Sequence, residues 1–140
     1  MKNKIIVVLA LFLLFASCEK NKEKRFTGKY LGTYTHKVVY VDLISPTNPL
    51  SNKTVINDYE EEVLSSGSFL YLSHLDFYKM RIKDLKLGKE YVVTIHGATI
   101  NYQLKITFSQ NEIEYTETRS QKLENSFTKT ITEFWGAKDY

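Results

Sequence analysis

The strongest constraint on this chain is the stretch Ile100–Ser109, where Ile100, Tyr102, Leu104, Ile106 and Phe108 alternate strictly with Asn101, Gln103, Lys105, Thr107 and Ser109. Period two places successive side chains on opposite faces of a strand, whereas a helix needs apolar residues every three or four positions. One face is then apolar and one wet, the pattern of an antiparallel sheet. Ser109–Glu112 reads as a turn, and Ile113 and Tyr115 open a Thr/Glu-rich strand running to about Arg119. A polar loop, Ser120–Ser126, precedes a last strand with Phe127, Ile131 and Trp135 on one face. Tyr91, Val93 and Ile95 form the strand before, with His96–Thr99 as its turn. Connections this short make hairpins, because a parallel pair needs a crossover of a dozen or more residues.

The first half is compatible with the same architecture. Phe26–Ile44 is a long β-prone run interrupted by Gly28 and Gly32, glycines four apart on one face. Such a pair marks a sharp strand bend or the close approach of another backbone. Ser45–Asn52, with Pro46 and Pro49, is a loop. Thr54–Leu64 suits a strand, although Asp58 and Glu61 also have capping-box spacing for a short helix. Tyr78, Met80 and Ile82 alternate with Lys79, Arg81 and Lys83, again favouring a strand, while Leu75, Tyr78, Ile82 and Leu85 would suit a helix. The expectation is an all-β domain over residues 26–140: a single antiparallel meander of about eight strands, closed or nearly closed into a barrel.

The N-terminus has a different character. Lys2 and Lys4 precede an unbroken apolar run of twelve residues, Ile5–Ala16. That is too short for a transmembrane helix, which needs about 20 residues, and it fits the apolar region of an export signal over residues 1–17. Phe15-Ala16-Ser17-Cys18 resembles a bacterial lipobox, in which the cysteine is modified with lipid and becomes the first residue of the mature protein. Cys18 is the only cysteine, so the chain can form no internal disulfide and no cysteine-based metal site. Several acyl chains on one residue anchor stably, since each buried methylene contributes about 0.8 kcal/mol. The membrane, reached through lipid on Cys18, is therefore the first expected partner.

Charge separates the remaining parts. The chain carries 19 basic and 16 acidic residues, a net charge of +3. Lys2 and Lys4 belong to the signal, and Glu19–Arg25 (EKNKEKR) contributes four basic and two acidic residues, leaving 13 basic and 14 acidic residues over 26–140. The basic excess thus lies in the signal and in residues 18–25, a charged tether, and not on the folded domain. Nucleic-acid binding requires the opposite distribution, so no nucleic-acid partner is expected.

Motifs of known chemistry are sparse. His36, His74 and His96 stand too far apart for H-x-H, H-x-x-x-H or H-E-x-x-H spacing, so no metal site or cofactor is expected. Ser65-Ser66-Gly67-Ser68 lacks the context of a nucleophile elbow and reads as a loop. Asp58, Glu60, Glu61 and Glu62 form an acidic cluster without EF-hand spacing, which suits a solvated strand face. No catalytic set emerges, and the chain reads as a non-enzyme.

Phe26-Thr27-Gly28-Lys29-Tyr30, followed by Gly32-Thr33-Tyr34, resembles the first-strand Gly-x-aromatic signature of lipocalin and avidin-like (calycin-like) barrels, whose aromatic closes the barrel floor. With the lipobox, the tether and the ending Phe134-Trp135-Gly136-Ala137-Lys138, the plan is similar to small lipoproteins of Bacteroidota-type cells. The resemblance implies a barrel fold and lipid anchoring. Glu19 after the cysteine is not the aspartate associated with inner-membrane retention, which implies the outer membrane, on its periplasmic or surface face.

Tyr30, Tyr34, Tyr102, Phe108, Tyr115 and Trp135 are the candidates for lining a ligand cavity, because tyrosine and tryptophan join an apolar body to a polar tip. The alternative is that these rings pack a solid core, since an eight-stranded barrel is just filled by its own side chains. Two functions follow: a module binding a small apolar or glycan-like ligand, or an envelope protein-interaction module acting through loops or a sheet edge. The anchoring reading has a direct check. Cys18→Ser should release the protein from membranes or leave its precursor uncut, and mass spectrometry of the mature chain should find an acylated N-terminal Cys18.

Overall fold

The computed structural model describes residues 22–44, 49–75 and 79–139. Cys18, the export signal, Pro46 and Tyr78 lie outside the described residues. The fold is all-β: eight strands form one antiparallel sheet. They are β1 (Gly28–Asp42), β2 (Leu50–Ser66), β3 (Phe69–Leu72), β4 (Met80–Arg81), β5 (Glu90–His96), β6 (Ile100–Phe108), β7 (Glu112–Lys122) and β8 (Ser126–Lys138). Their order in the sheet is β4-β3-β2-β1-β8-β7-β6-β5. In this order the last strand, β8, pairs with the first, β1, and β4 and β5 end the order.

Closure of β8 onto β1 depends on two glycines. The two strands pair from Tyr30↔Lys138 to Asp42↔Ser126, and the register sets Gly32 opposite Gly136. A Cβ on Gly32 would lie 2.0 Å from the Trp135 carbonyl oxygen, and one on Gly136 would lie 2.4 Å from the Phe134 ring. The close backbone approach expected at the glycine pair thus occurs at Gly32. Gly28 serves differently: its φ of 131° lets the chain leave the helical turn over 22–26 and enter β1.

The chain forms two compact units. The larger comprises Tyr30–Glu61 and Lys86–Tyr140. Its buried residues include Tyr30, Leu104, Ile106, Phe108, Ile113, Tyr115 and Phe134, the inward positions of β1, β6, β7 and β8. Among the described residues the smaller holds 22–29 and Glu62–Leu85, with Phe26, Val63, Leu70, Leu72, Met80, Ile82 and Leu85 buried.

Several local expectations change. Residues 54–64 lie wholly within strand β2. Met80 and Ile82 are buried and Arg81 and Lys83 exposed, as alternation requires, yet the strand stops after Arg81 and Ile82–Asp84 form a 3-10 turn. Lys22–Arg25, assigned from sequence to the tether, is helical through to buried Phe26. Lys22 Nζ donates to the Lys83 carbonyl at 2.8 Å, and the Ser65 hydroxyl donates to the Glu23 carboxylate. A heptapeptide of six charged residues and one asparagine gave no sign of this, because its partners lie 42 and 61 residues away. In β8, Phe127, Ile131 and Trp135 share one face, but the buried face is the other one, carrying Thr132, Phe134 and Gly136. The glycine register with β1 decides this: it turns Gly136 and Phe134 to the side of Gly32 and Tyr34.

The closure can be checked by substitution. Gly32→Ala should cost about 3 kcal/mol or more in denaturant unfolding, at the upper end for overpacking, because the obstructing atoms are backbone. Gly67→Ala, whose Cβ would meet nothing within 4 Å, should cost less, chiefly from its φ of 61°.

Candidate functional site

The inward face of β1, β8, β7, β6 and β5 is a ladder of cross-strand rows. The first row is Gly32, Gly136, Ile113 and Phe108. The second is Tyr34, Phe134, Tyr115, Ile106 and Tyr91. In the third, His36, Thr132, Glu117, Leu104 and Val93 stand side by side, and the fourth is Val38, Thr130, Arg119, Tyr102 and Ile95. Along β8 and β7 the face therefore changes from apolar to polar over four rows, and β1 adds His36 in the third. Directly opposed side chains stand about 5 Å apart, so each row is a set of touching neighbours.

A recess of about 350 Å³ opens over the polar rows, lined by Tyr34, His36, Glu117, Arg119, Thr130 and Thr132. His36 Nδ1 lies 3.1 Å from the Thr132 hydroxyl, which orients the imidazole, and its ring stacks on Tyr34 with centroids 6.2 Å apart. The recess thus presents an imidazole, a carboxylate, a guanidinium, a phenol and two hydroxyls on one wall.

Its aromatic side continues into the core. Tyr34 meets Tyr59 of β2 at 4.7 Å, Tyr59 meets Phe134 edge-on at 5.9 Å, and Phe134 meets Tyr115 at 5.4 Å. Beside them sits Glu61, a carboxylate only 1% exposed. The Tyr115 hydroxyl donates to Glu61 Oε2 at 2.8 Å. A buried carboxylate is costly unless hydrogen-bonded, and the phenol supplies a short donor in an apolar setting. Burial, the Glu61 charge and this hydrogen bond all push the Tyr115 hydroxyl's pKa up. Burial, Glu61 and Tyr34 raise that of Tyr59 in the same direction.

The six aromatic candidates separate accordingly. Tyr34 lines the recess, and Tyr115 lies beneath it through Phe134 and Tyr59. Tyr102 is buried in the fourth row beside Arg119. Phe108 is buried in the first row, and Tyr30 is buried with the Lys138 ammonium 5.9 Å from its ring centroid. Trp135 stands apart from these: it is 53% exposed on the opposite face of the sheet. Among the described residues no group of three His, Cys, Asp or Glu side chains is placed to hold a metal ion.

Glu61, Tyr59, His36, Glu117 and Arg119 were not singled out as lining residues from sequence, though period two contains the signal. Tyr59, Glu61 and Val63 share the face opposite Glu60 and Glu62, so one member of the acidic cluster had to point inward with Val63. Likewise Glu117 and Arg119 continue the face that Ile113 and Tyr115 begin. The acidic cluster is thus a solvated face only in part. No protein-family model, curated protein or solved structure matches the chain.

The buried pair yields a stability test. Tyr115→Phe should cost about 1–3 kcal/mol, because it takes a donor from a carboxylate that stays buried. Tyr115 titrates higher in the folded than in the unfolded chain, so its stabilising contribution is complete below about pH 10, where an unfolded tyrosine ionises, and declines as pH rises beyond that. Urea midpoints measured between pH 8 and 11 should fall on the alkaline side in the parent, and less steeply in Tyr115→Phe.

Proposed function

We propose that this chain is a binding module, anchored to the outer membrane by lipid on Cys18, that holds a small polar ligand on the concave face of its sheet and releases it chemically unchanged. The observation that carries the reading is the third and fourth rows: His36, Thr132, Glu117, Arg119 and Thr130 gathered around a recess of about 350 Å³. Ligand pockets occupy about 300–1,000 Å³ and use a few placed polar groups to fix orientation. The recess lies at the small end of that range and is more polar than usual. Of the two ligand classes considered from sequence, this lining favours the hydroxyl-rich, glycan-like one over the apolar one. Glu117 and Arg119 can each bond to vicinal hydroxyls, His36 and the threonines offer both donors and acceptors, and Tyr34 gives a ring face.

An envelope protein is the second reading. It is favoured by β5, which ends the strand order while exposing Val92 and Ile95. A terminal strand can accept an extended segment of a partner.

Native mass spectrometry of the full chain, extracted in mild detergent from the cells that make it, discriminates the two. The expected result is a small-molecule adduct, recovered unaltered, that is lost in Arg119→Ala and in Glu117→Gln while the melting temperature moves little, since Arg119 is exposed and Glu117 half-buried. An adduct that persists in both variants refutes the recess as its site. A protein adduct lost on Val92→Lys supports the β5 reading instead.

A further inference from the structure

The outward face of β1, β8 and β7 carries a second constellation, independent of the recess. Trp135 is the only tryptophan of the chain and is 53% exposed. Its cross-strand neighbours are Thr33 on β1 and Glu114 on β7. One row along, Glu133 stands between Thr35 and Thr116. These six side chains border a shallow recess of about 320 Å³. Lys105, opposite Thr116 on β6, lies outside it. Tyr115 and Phe134, whose side chains belong to the other face, complete the lining, so its outward side chains are two carboxylates, three hydroxyls and one indole, with no base among them.

We propose that this platform is a glycan-binding site for an extended pyranose chain that carries no negative charge. An indole face is electron-rich and apolar, and the axial C–H face of a pyranose is apolar and slightly positive, so the two stack. Stacking also removes from water an indole that the fold leaves half in solvent. Around the ring, Glu114 and Glu133 accept hydrogen bonds from sugar hydroxyls, and Thr33, Thr35 and Thr116 both donate and accept. Side chains two residues apart on a strand lie about 7 Å from each other, and neighbouring strands about 4.8 Å apart, so Trp135 and Glu133 act on adjacent parts of one extended ligand and not on a single small molecule. Charge complementarity sets the class. Two carboxylates in a lining that holds no basic side chain disfavour uronates and sulfated sugars, accept neutral sugars and attract amino groups.

The uniqueness of Trp135 supplies the assay, because all tryptophan emission from the full chain in detergent comes from this residue. The probes are three tetrasaccharides: neutral N-acetylglucosamine, its deacetylated glucosamine form, and galacturonate. The neutral and amine-bearing tetramers should both change the emission saturably, the amine-bearing one more tightly and with greater sensitivity to salt. Galacturonate should leave it unchanged. By calorimetry, Trp135→Ala should weaken the neutral tetramer about tenfold or more, the equivalent of about 1.4 kcal/mol. Glu133→Gln should retain neutral binding within a few-fold and abolish the advantage of the amine-bearing tetramer. Because Trp135 stands on the face opposite the recess residues, its emission reports binding at this platform and not in the recess. The proposal is overturned if the neutral tetramer fails to bind, if galacturonate binds as well as the neutral sugar, or if Trp135→Ala binds as tightly as the parent while remaining folded. Should Trp135→Ala fail to fold, Trp135→Phe and Glu133→Gln carry the same comparison.

Discussion

The approach of β8 to β1 at Gly32 and Gly136 is the contact on which the arrangement rests. It joins the first strand to the last, so that two runs of antiparallel strands become one eight-stranded sheet. It also fixes the register, and with side chains alternating every residue, a slip of one would exchange the faces of the whole strand. Only glycine fits there, since any Cβ would enter the Trp135 carbonyl or the Phe134 ring. Everything described on both faces follows from this pairing: it brings Tyr34 beside Phe134 and His36 beside Thr132 within, and Thr33 beside Trp135 without.

Within the larger unit the inner face has two chemical regimes. Near the glycine pair, Ile113, Phe108, Phe134 and Ile106 are buried and apolar. Farther along, the same strands present Glu117, Arg119, Thr130 and Thr132. Glu61 and Tyr115 lie on the apolar side of this boundary, joined by a hydrogen bond that satisfies a carboxylate in surroundings that otherwise disfavour it. A buried polar pair of this kind stabilises one arrangement over its neighbours, because a shifted partner would leave the carboxylate without that donor.

Much of the fold was legible in the sequence because period two is an unusually direct signal. Ile100–Phe108 and the turn that follows it come directly from this signal, whereas 54–64 suited a strand or a short helix and is a strand. What alternation could not say is which face of an ambiguous strand turns inward. β8 offers Phe127, Ile131 and Trp135 on one side and Thr132, Phe134 and Gly136 on the other, and hydropathy alone chooses the first. Partner register chooses the second. The same limit hid the recess: aromatic side chains drew attention to Tyr34 and Tyr115, whereas the charged residues on the same face, Glu61, Glu117 and Arg119, resembled solvated surface. The helical turn at 22–26 was illegible for another reason, since its anchors at Ser65 and Lys83 are distant in sequence.

Both proposed sites depend on the β1·β8 register, so cross-strand nuclear Overhauser contacts in the isotope-labelled full chain are the most direct measurement. The account predicts backbone contacts that link Gly32 with Gly136, Tyr34 with Phe134 and His36 with Thr132. Contacts displaced by one residue throughout, such as Thr33 with Gly136 and Thr35 with Phe134, would place the tryptophan and its carboxylates on the inner face and contradict it.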